Sequence, residues 1–278
     1  MIKSKQIQRP ERILVVDDQE INRDALGIIL EDSYDVIYAE NGKEALQLID
    51  ENIDTLSLVM LDLMMPVMNG IELTRQLKGD ICTSHIPIIL LTAKDAEEDK
   101  LEGYDSGADS YLTKPFTAKL LESRIKNLLT SRRRLAERIA AAPPAATDLL
   151  TPSRTALPSV STGREDAALS PLDRQFLERL NAVVEENIMQ TDIDMAFLTD
   201  KMAMSHSTFY RKVKALTGLT AKEYVRKRKL RHSYQLLQTG DYNVTQAAMM
   251  TGFNQMTHFR EVFKKEFGIL PSEVKKNS

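Results

Sequence analysis

The chain has 278 residues, a formal net charge of -3 and 42% hydrophobic residues, which is typical of a globular protein of about two domains. One cysteine, Cys82, cannot form an internal disulfide, and the four histidines lack the spacing of a zinc site. No apolar run approaches the roughly 20 residues that span a bilayer, and the polar start lacks the apolar segment of a signal peptide. We therefore expect a protein of the reducing cytoplasm.

The small net charge hides an asymmetry along the chain. Residues 1–130 hold 14 Lys or Arg and 24 Asp or Glu, whereas residues 171–278 hold 17 and 12. An acidic first part and a basic last part suggest different partners, and nucleic acid is a natural candidate for the basic one.

Five short apolar runs in the first 130 residues alternate with longer segments of helical periodicity. Several runs are apolar at nearly every position, which is typical of strands buried on both faces of a parallel sheet. The alternation predicts an α/β, doubly wound parallel sheet. The predicted strands are 12–16, 35–39, 56–61, 87–91 and 110–113, and the predicted helices include 21–32, 42–52 and 117–140.

Polar residues follow four of the predicted strands: Asp17 with Asp18, then Asp62, Thr92 and Lys114. Because the carboxyl ends of parallel strands meet at one edge of a sheet, these side chains can converge. Three carboxylates and a lysine favour Mg²⁺ together with a phosphoryl group. A carboxylate beside the ion can attack phosphorus, while the lysine and the hydroxyl balance the new charge.

Each of these residues also has an ordinary structural interpretation. Asp18 can cap the helix that follows it, Thr92 can cap the segment after the fourth strand, and Lys114 can belong to a turn before Pro115. The coincidence of all of them at one edge favours the functional interpretation.

The segments "ILVVDD", "LVMLDLMMPVMNG", "PIILLTA" and "SYLTKPF" cover nearly all of residues 11–130. This region resembles the receiver domain of response regulators, which has a flavodoxin-like fold. The resemblance implies that Asp62 accepts a phosphoryl group from a histidine kinase. It also implies a Mg²⁺ site at Asp17, Asp18, Asp62 and the Met64 backbone carbonyl, phosphoryl contacts from Thr92 and Lys114, and an aromatic switch at Tyr111.

The stretch between the acidic and basic parts has the composition of a linker. The helix predicted from residue 117 has no breaker before about Ala140. Residues 140–171 then contain five prolines and no sustained apolar period, so we predict a helix extension and a flexible linker over residues 131–170.

The last part contains an internal repeat of 50 residues. The repeat pairs Phe209 with Phe259, Lys214 with Lys264, and Gly218 with Gly268, among other matches. Short helical segments at 195–203 and 244–253 precede the two copies, and the basic helix 221–238 joins them. The pattern predicts two helix-turn-helix units.

A helix that enters the major groove needs one apolar stripe for its own domain and one polar stripe for DNA. Both predicted recognition helices, 205–218 and 254–268, have this pattern. Arginine can read guanine and lysine more often meets phosphate. A solvated charged face is the alternative interpretation. The polar stripes consist of Ser207, Tyr210, Arg211 and Lys214 in the first helix, and Thr257, Arg260 and Lys264 in the second.

The segments "MSHSTFYRKVKALTGLTAKEYVRKRKLRHSYQLL" and "VTQAAMMTGFNQMTHFREVFKKEFGILPSE" resemble the AraC/XylS-type DNA-binding domain. The resemblance implies seven helices and two recognition helices in successive major-groove segments of one duplex. Met256 and Glu261 depart from the family pattern, since a small polar residue and a neutral or basic residue are common there. Glu261 can accept a hydrogen bond from cytosine or repel phosphate.

The two resemblances predict a receiver domain (11–130), a linker (131–170) and an AraC-type domain (171–278). They imply a regulator whose sequence-specific DNA binding is controlled by phosphorylation, with a phosphorylation-dependent homodimer, a histidine kinase and RNA polymerase as partners. The same pair of domains is typical of the carboxyl-terminal portions of hybrid sensors, so the chain is either a free-standing regulator or part of a longer one. One alternative is an interaction module, in which the receiver passes phosphoryl groups or binds a partner protein and the basic domain acts on RNA or as a scaffold. The other is a phosphatase with Asp62 as its nucleophile.

Overall fold

The structure is a computed structural model, and it describes residues 10–93, 106–141 and 169–274. The chain divides into two compact units. The first contains an α/β sheet and extends to Arg132, and the second contains the helices from Pro171 onward.

Five strands form the sheet of the first unit: β1 (Arg12–Val16), β2 (Asp35–Ala39), β3 (Leu56–Asp62), β4 (Ile88–Ala93) and β5 (Ser110–Lys114). All neighbouring pairs are parallel, and the order is β2-β1-β3-β4-β5. The strand order therefore reverses at β1, and a crevice forms between the carboxyl ends of β1 and β3. The predicted doubly wound parallel sheet is confirmed.

Helices cover both faces of this sheet. They are α1 (Glu20–Leu30), α2 (Gly42–Asn52), α3 (Gly70–Gly79) and α4 (Ala118–Ala141). Apolar residues of α2 and α3 join one buried cluster with alternate residues of β1 and β3, and those of α1 and α4 join the other. The interior positions of β1, β3 and β4 are nearly all apolar because both faces of the sheet are covered.

The helical unit contains α5 (Pro171–Glu186), α6 (Met195–Met202), α7 (His206–Thr217), α8 (Ala221–Thr239), α9 (Val244–Met250), α10 (Met256–Phe267) and a 3₁₀ turn (Pro271–Glu273). The two long helices of the sequence repeat, α7 and α10, end in the same way. Gly218 and Gly268 have φ of 70° and 74°, and their N–H groups donate to the carbonyls of Lys214 and Lys264. A glycine takes this left-handed conformation without the steric cost of a Cβ.

The predicted linker lies partly outside the described residues, and so does the segment after β4 that Thr92 can cap. Helix α4 continues to Ala141 as predicted, but residues 142–168 of the predicted linker and residues 94–105 after β4 are not described. Among the described helices, none is long and apolar enough to cross a bilayer.

Candidate functional site

Lys114 joins two carboxylates that are far apart in the sequence. Its Nζ donates to Asp17 Oδ2 at 2.9 Å and to Asp62 Oδ1 at 2.6 Å. Asp17, Asp18 and Asp62 each place a carboxylate oxygen within 4.8 Å of the others. The carboxyl ends of β1, β3 and β5 bring these residues together, as the sequence predicted.

Asp17 is held by the start of the helix that follows it. Its side chain is fully buried, and Oδ1 accepts hydrogen bonds from the Gln19 backbone N–H at 3.0 Å and from Asn22 Nδ2 at 2.9 Å. Arg23 donates to the Asp17 carbonyl at 2.8 Å. The sequence pattern did not indicate these supports. The N-cap position of α1 is Gln19, so the alternative in which Asp18 caps that helix is wrong.

The backbone after Asp62 turns sharply toward α3. Gly70 N–H donates to the Leu63 carbonyl at 3.0 Å, and a Cβ at Gly70 would collide with the Asp62 carbonyl. Only glycine permits this approach without a shift of the backbone that carries Asp62. Met64 lies in this loop, and its side chain is exposed.

The charges in the cluster do not balance. Burial, and then the negative charges of Asp17 and Asp18, raise the pKa of Asp62 even though Lys114 lowers it. Burial acts to lower the pKa of Lys114, but its hydrogen bonds to Asp62 and Asp17 outweigh burial and raise it. The lysine is therefore an ammonium group, and the cluster keeps an excess of negative charge.

Thr92 and Tyr111 lie on the two neighbouring strands. Thr92 Oγ1 is buried and has no hydrogen-bond partner among the described residues. Its strand neighbour across the β4–β5 pair is Thr113, directly before Lys114. Tyr111 is partly buried against the apolar cluster that contains α2 and α3. A buried hydroxyl without a partner is costly, so Thr92 is suited to bind an incoming oxygen atom.

The polar stripe of α7 faces solvent. Phe209, Val213 and Leu216 are buried, as the predicted apolar stripe requires. Ser205 caps the helix by accepting a hydrogen bond from the Thr208 N–H, and the rings of His206 and Tyr210 stack at 4.4 Å. Of the predicted DNA contacts, Ser207 and Lys214 are exposed, and Tyr210 and Arg211 are partly exposed.

Helix α10 repeats this arrangement with an aromatic anchor. Phe259 and Phe263 are fully buried, and Phe267 contacts Tyr234 of α8 with ring centroids 4.8 Å apart. Thr257, Arg260 and Lys264 are exposed, as is Glu261. The placement agrees with a polar stripe, while contact with DNA stays a prediction.

The sequence pattern did not separate structural from surface charges in this unit. Lys212, inside α7, is fully buried and pairs with Asp173 of α5. On α8, Arg228 pairs with Glu185, and Lys227 and Arg231 reach Glu266 at 3.0 and 3.6 Å. These partners lie 35 to 43 residues away in the sequence, so no local periodicity could have indicated them.

The comparisons with known families agree with the two units. The model of the response regulator receiver domain matches residues 13–126, and a helix-turn-helix domain model matches residues 198–277. Over the first range the chain belongs to the receiver family, and over the second it carries an AraC-type helix-turn-helix domain. Together the two domains indicate a regulator.

Relatives match one or both domains. Histidine kinase P4 of Formosa agariphila is 35% identical over 261 residues, which are 94% of this chain and 18% of the kinase. The phosphate regulon transcriptional regulatory protein PhoB of Pseudomonas aeruginosa is 44% identical over 119 residues, 42% of this chain and 51% of that protein. The receiver domain of a signal transduction histidine kinase from Syntrophus aciditrophicus is 34% identical, covering 45% of this chain and 93% of that structure, with a TM-score of 0.42. The chain thus spans about half or less of these two full-length relatives.

Proposed function

We propose that this chain is a transcriptional regulator whose sequence-specific binding to DNA is controlled by phosphorylation of Asp62 by a histidine kinase. The observation that carries the proposal is the Lys114 ammonium between Asp17 and Asp62, with Asp18 completing the carboxylate cluster. The relative that aligns with 94% of the chain is itself a histidine kinase, which supports a kinase as the phosphoryl donor.

The cluster fits Mg²⁺. Three carboxylates lie within reach of one ion, and Mg²⁺ takes oxygen ligands and prefers carboxylates combined with phosphate oxygens. We assign the ion to Asp17, Asp18, Asp62 and the backbone carbonyl of Met64. When bound, it neutralises the carboxylates and the charge of the transferred group.

The chain's own residues carry the transfer. An Asp62 oxygen attacks the phosphorus of a phosphohistidine, an O–P bond forms, the N–P bond breaks, and the histidine nitrogen leaves with the bonding pair. Lys114 stays positively charged and meets the oxygens of the new phosphoryl group, and the unpartnered Thr92 hydroxyl donates to one of them. The only reaction that we assign to the chain is this phosphorylation of its own aspartate and the later hydrolysis.

The phosphoryl group also supplies the switch. Movement of Thr92 toward it leaves space for Tyr111 to turn inward, and this changes the face of the domain on the side of β4 and β5. Receiver domains pair through that face, and two DNA-binding domains then gain affinity for paired sites by effective concentration. We place the protein in the cytoplasm, with residues 11–130 as receiver, 131–170 as linker and 171–278 as the DNA-binding domain that communicates with RNA polymerase.

Both recognition helices take part in DNA binding. Ser207, Tyr210, Arg211 and Lys214 of α7, and Thr257, Arg260 and Lys264 of α10, would contact the duplex. The arginines suit base edges and the lysines suit phosphates.

Selection of genomic DNA fragments by the purified chain tests the proposal. The protein is used with and without Mg²⁺ and beryllofluoride, a phosphoryl mimic, as wild type, as Asp62→Ala and as Asp50→Ala, which removes an exposed acid of α2. We expect one enriched motif that the mimic strengthens in wild type and Asp50→Ala but not in Asp62→Ala. Salt-sensitive binding without any preferred motif would overturn the proposal in favour of a non-specific interaction module.

A further inference from the structure

The basic helix α8 has two sides with different electrostatics. On one side, Lys227 and Arg231 face Glu266, and Arg228 is paired with Glu185. On the other side, Lys222, Arg226 and Lys229 form no ion pair with any residue that the structure describes. The charges of the exposed Lys222 and Arg226 are therefore open to a ligand or to solvent, whereas Lys229 donates to backbone carbonyls.

These three residues line a cavity of about 470 Å³. Its other walls are the segment before α6, which includes Asp192, and the turn and first residues of α10, which include Asn254 and His258. The cavity thus lies between the two helix-turn-helix units, and its basic groups outnumber its single carboxylate.

Lys229 is the most deeply buried of the three basic residues. It is 5% exposed, and its Nζ donates to the carbonyls of Gln190 and Thr191. Gly252 leaves room for the contact between Lys229 and the Gln190 carbonyl. A Cβ at Gly252 would collide with that carbonyl and lie 2.9 Å from the lysine Nζ. Burial lowers the pKa of Lys229, against the opposing effect of Asp192, so a nearby anion would stabilise its charged form.

The start of α10 adds a second source of positive potential. Gln255 at its N-cap makes no side-chain cap hydrogen bond, whereas the four preceding helices are capped by Asp194, Ser205, Thr220 and Asn243. The free N–H groups and the dipole of a helix start favour an anion. His258 follows Thr257 by about 100° around the helix, so the cavity lies beside the polar stripe of α10.

We propose that this cavity is a phosphate site, and that it holds a backbone phosphate of the duplex between the two major-groove segments that α7 and α10 contact. The inference rests on the proposed DNA binding. Lys222 and Arg226 bind the phosphate directly, and Lys229 supplies the buried charge beneath them. The site therefore fixes the spacing between the two contacted segments without reading a base.

Methylphosphonate substitution, which removes the charge of one phosphate at a time, tests the site on a duplex that carries the selected motif. In wild type we expect one or two linkages between the contacted segments to weaken binding about tenfold when they are neutralised. In the double variant Lys222→Gln/Arg226→Gln, neutralising the same linkages has no further effect. Both residues are exposed, so the variant keeps its fold, and a thermal unfolding curve checks this.

Lys227→Gln is the matched control, because it removes one charge from the opposite side of α8. We expect it to keep the methylphosphonate effect, whereas the double variant lowers the slope of log K against log salt by about one to two. If wild type binds its motif but no linkage couples to Lys222 and Arg226, the phosphate site is wrong and the proposed function stands. If wild type selects no motif, the proposed function fails first.

Inorganic phosphate tests whether the cavity binds a free phosphate compound rather than a phosphate of the DNA backbone. Thermal unfolding of the full chain is followed with added sodium phosphate and with sodium chloride at equal ionic strength. A phosphate-specific stabilisation of wild type that the double variant loses, combined with unchanged DNA binding, would assign the cavity to a free phosphate compound and overturn the DNA assignment. Equal curves in the two salts are the expected result.

Discussion

The carboxylates at the two ends of the parallel sheet differ in how far neighbouring positive charges compensate them. At the carboxyl ends, Asp17 and Asp62 share the ammonium of Lys114, and a carboxylate oxygen of Asp18 lies within 4.8 Å of theirs. At the amino ends, one carboxylate, Asp109, accepts from Lys78 Nζ at 2.5 Å, from the Ile88 N–H at 2.9 Å and from Arg132. Burial acts to raise the pKa of Asp109, but Arg132 and Lys78 outweigh it, so this pKa is lowered while that of Asp62 is raised.

The difference separates a structural charge from a functional one. Asp109 is fully compensated and ties α3, β4 and α4 together at the edge of the core. The cluster around Asp62 keeps uncompensated negative charge and an unpartnered hydroxyl at Thr92. The cation and the phosphoryl group that we propose for this cluster would supply the missing partners, so the cluster without them costs stability.

The largest effect on the free energy of unfolding should come from replacing Asp109, at the amino ends of the strands. Asp109→Asn leaves Lys78 and Arg132 without their carboxylate, so we expect a loss of about 3–5 kcal/mol in the free energy of unfolding. Because the folded pKa is lowered, the contribution of Asp109 is present above the pKa of the unfolded carboxyl and is lost as pH falls through the folded pKa. Urea denaturation at several pH values measures the loss of stability and its dependence on pH. Asp50→Asn is the exposed control, and an equal loss in that variant would contradict a structural role of Asp109.

A smaller effect of opposite sign is expected at Thr92. Thr92→Val replaces an unpartnered buried hydroxyl by a methyl group of the same shape, so we expect a gain of about 1 kcal/mol in unfolding free energy and loss of the beryllofluoride response. Ser110→Ala is the matched comparison, since Ser110 Oγ at the amino end of β5 is also buried without a hydrogen-bond partner among the described residues. It should keep the response. A Thr92→Val protein that still responds would show that the hydroxyl does not contact the phosphoryl group.

The smallest effect should be that of Asp62→Asn, because Asp62 is only half-buried and Lys114 offsets part of the repulsion. Its raised folded pKa means that its contribution to stability is greatest below the unfolded pKa and is lost as pH rises through the folded pKa. Asp62→Asn should therefore unfold at a higher temperature than wild type at neutral pH, and the difference should shrink in acid. A difference that grows on acidification would show that the pKa of Asp62 is not raised.

Much of the fold followed from local patterns. Strands β1 and β2 have the predicted bounds and the other three differ by one or two residues, because apolar runs bounded by polar residues are a local property. The repeat located α7 and α10, since each needs the same apolar stripe and the same terminal glycine. The convergence of Asp17, Asp62 and Lys114 was predictable because parallel strands place their carboxyl ends together.

The sequence by itself thus determined the order of the elements, the edge of the sheet at which the acidic cluster forms, and the buried and exposed faces of α7 and α10. Only the tertiary structure decided which charges are compensated. Lys78, Lys212 and Arg228 look like ordinary surface charges in the sequence, yet each is paired with a carboxylate 31 to 43 residues away. Lys222 and Arg226 are also basic residues of a helix, yet they form no ion pair with any described residue and line a cavity. Ion pairing depends on distances of a few ångström between segments remote in sequence, and local periodicity carries no information about those distances.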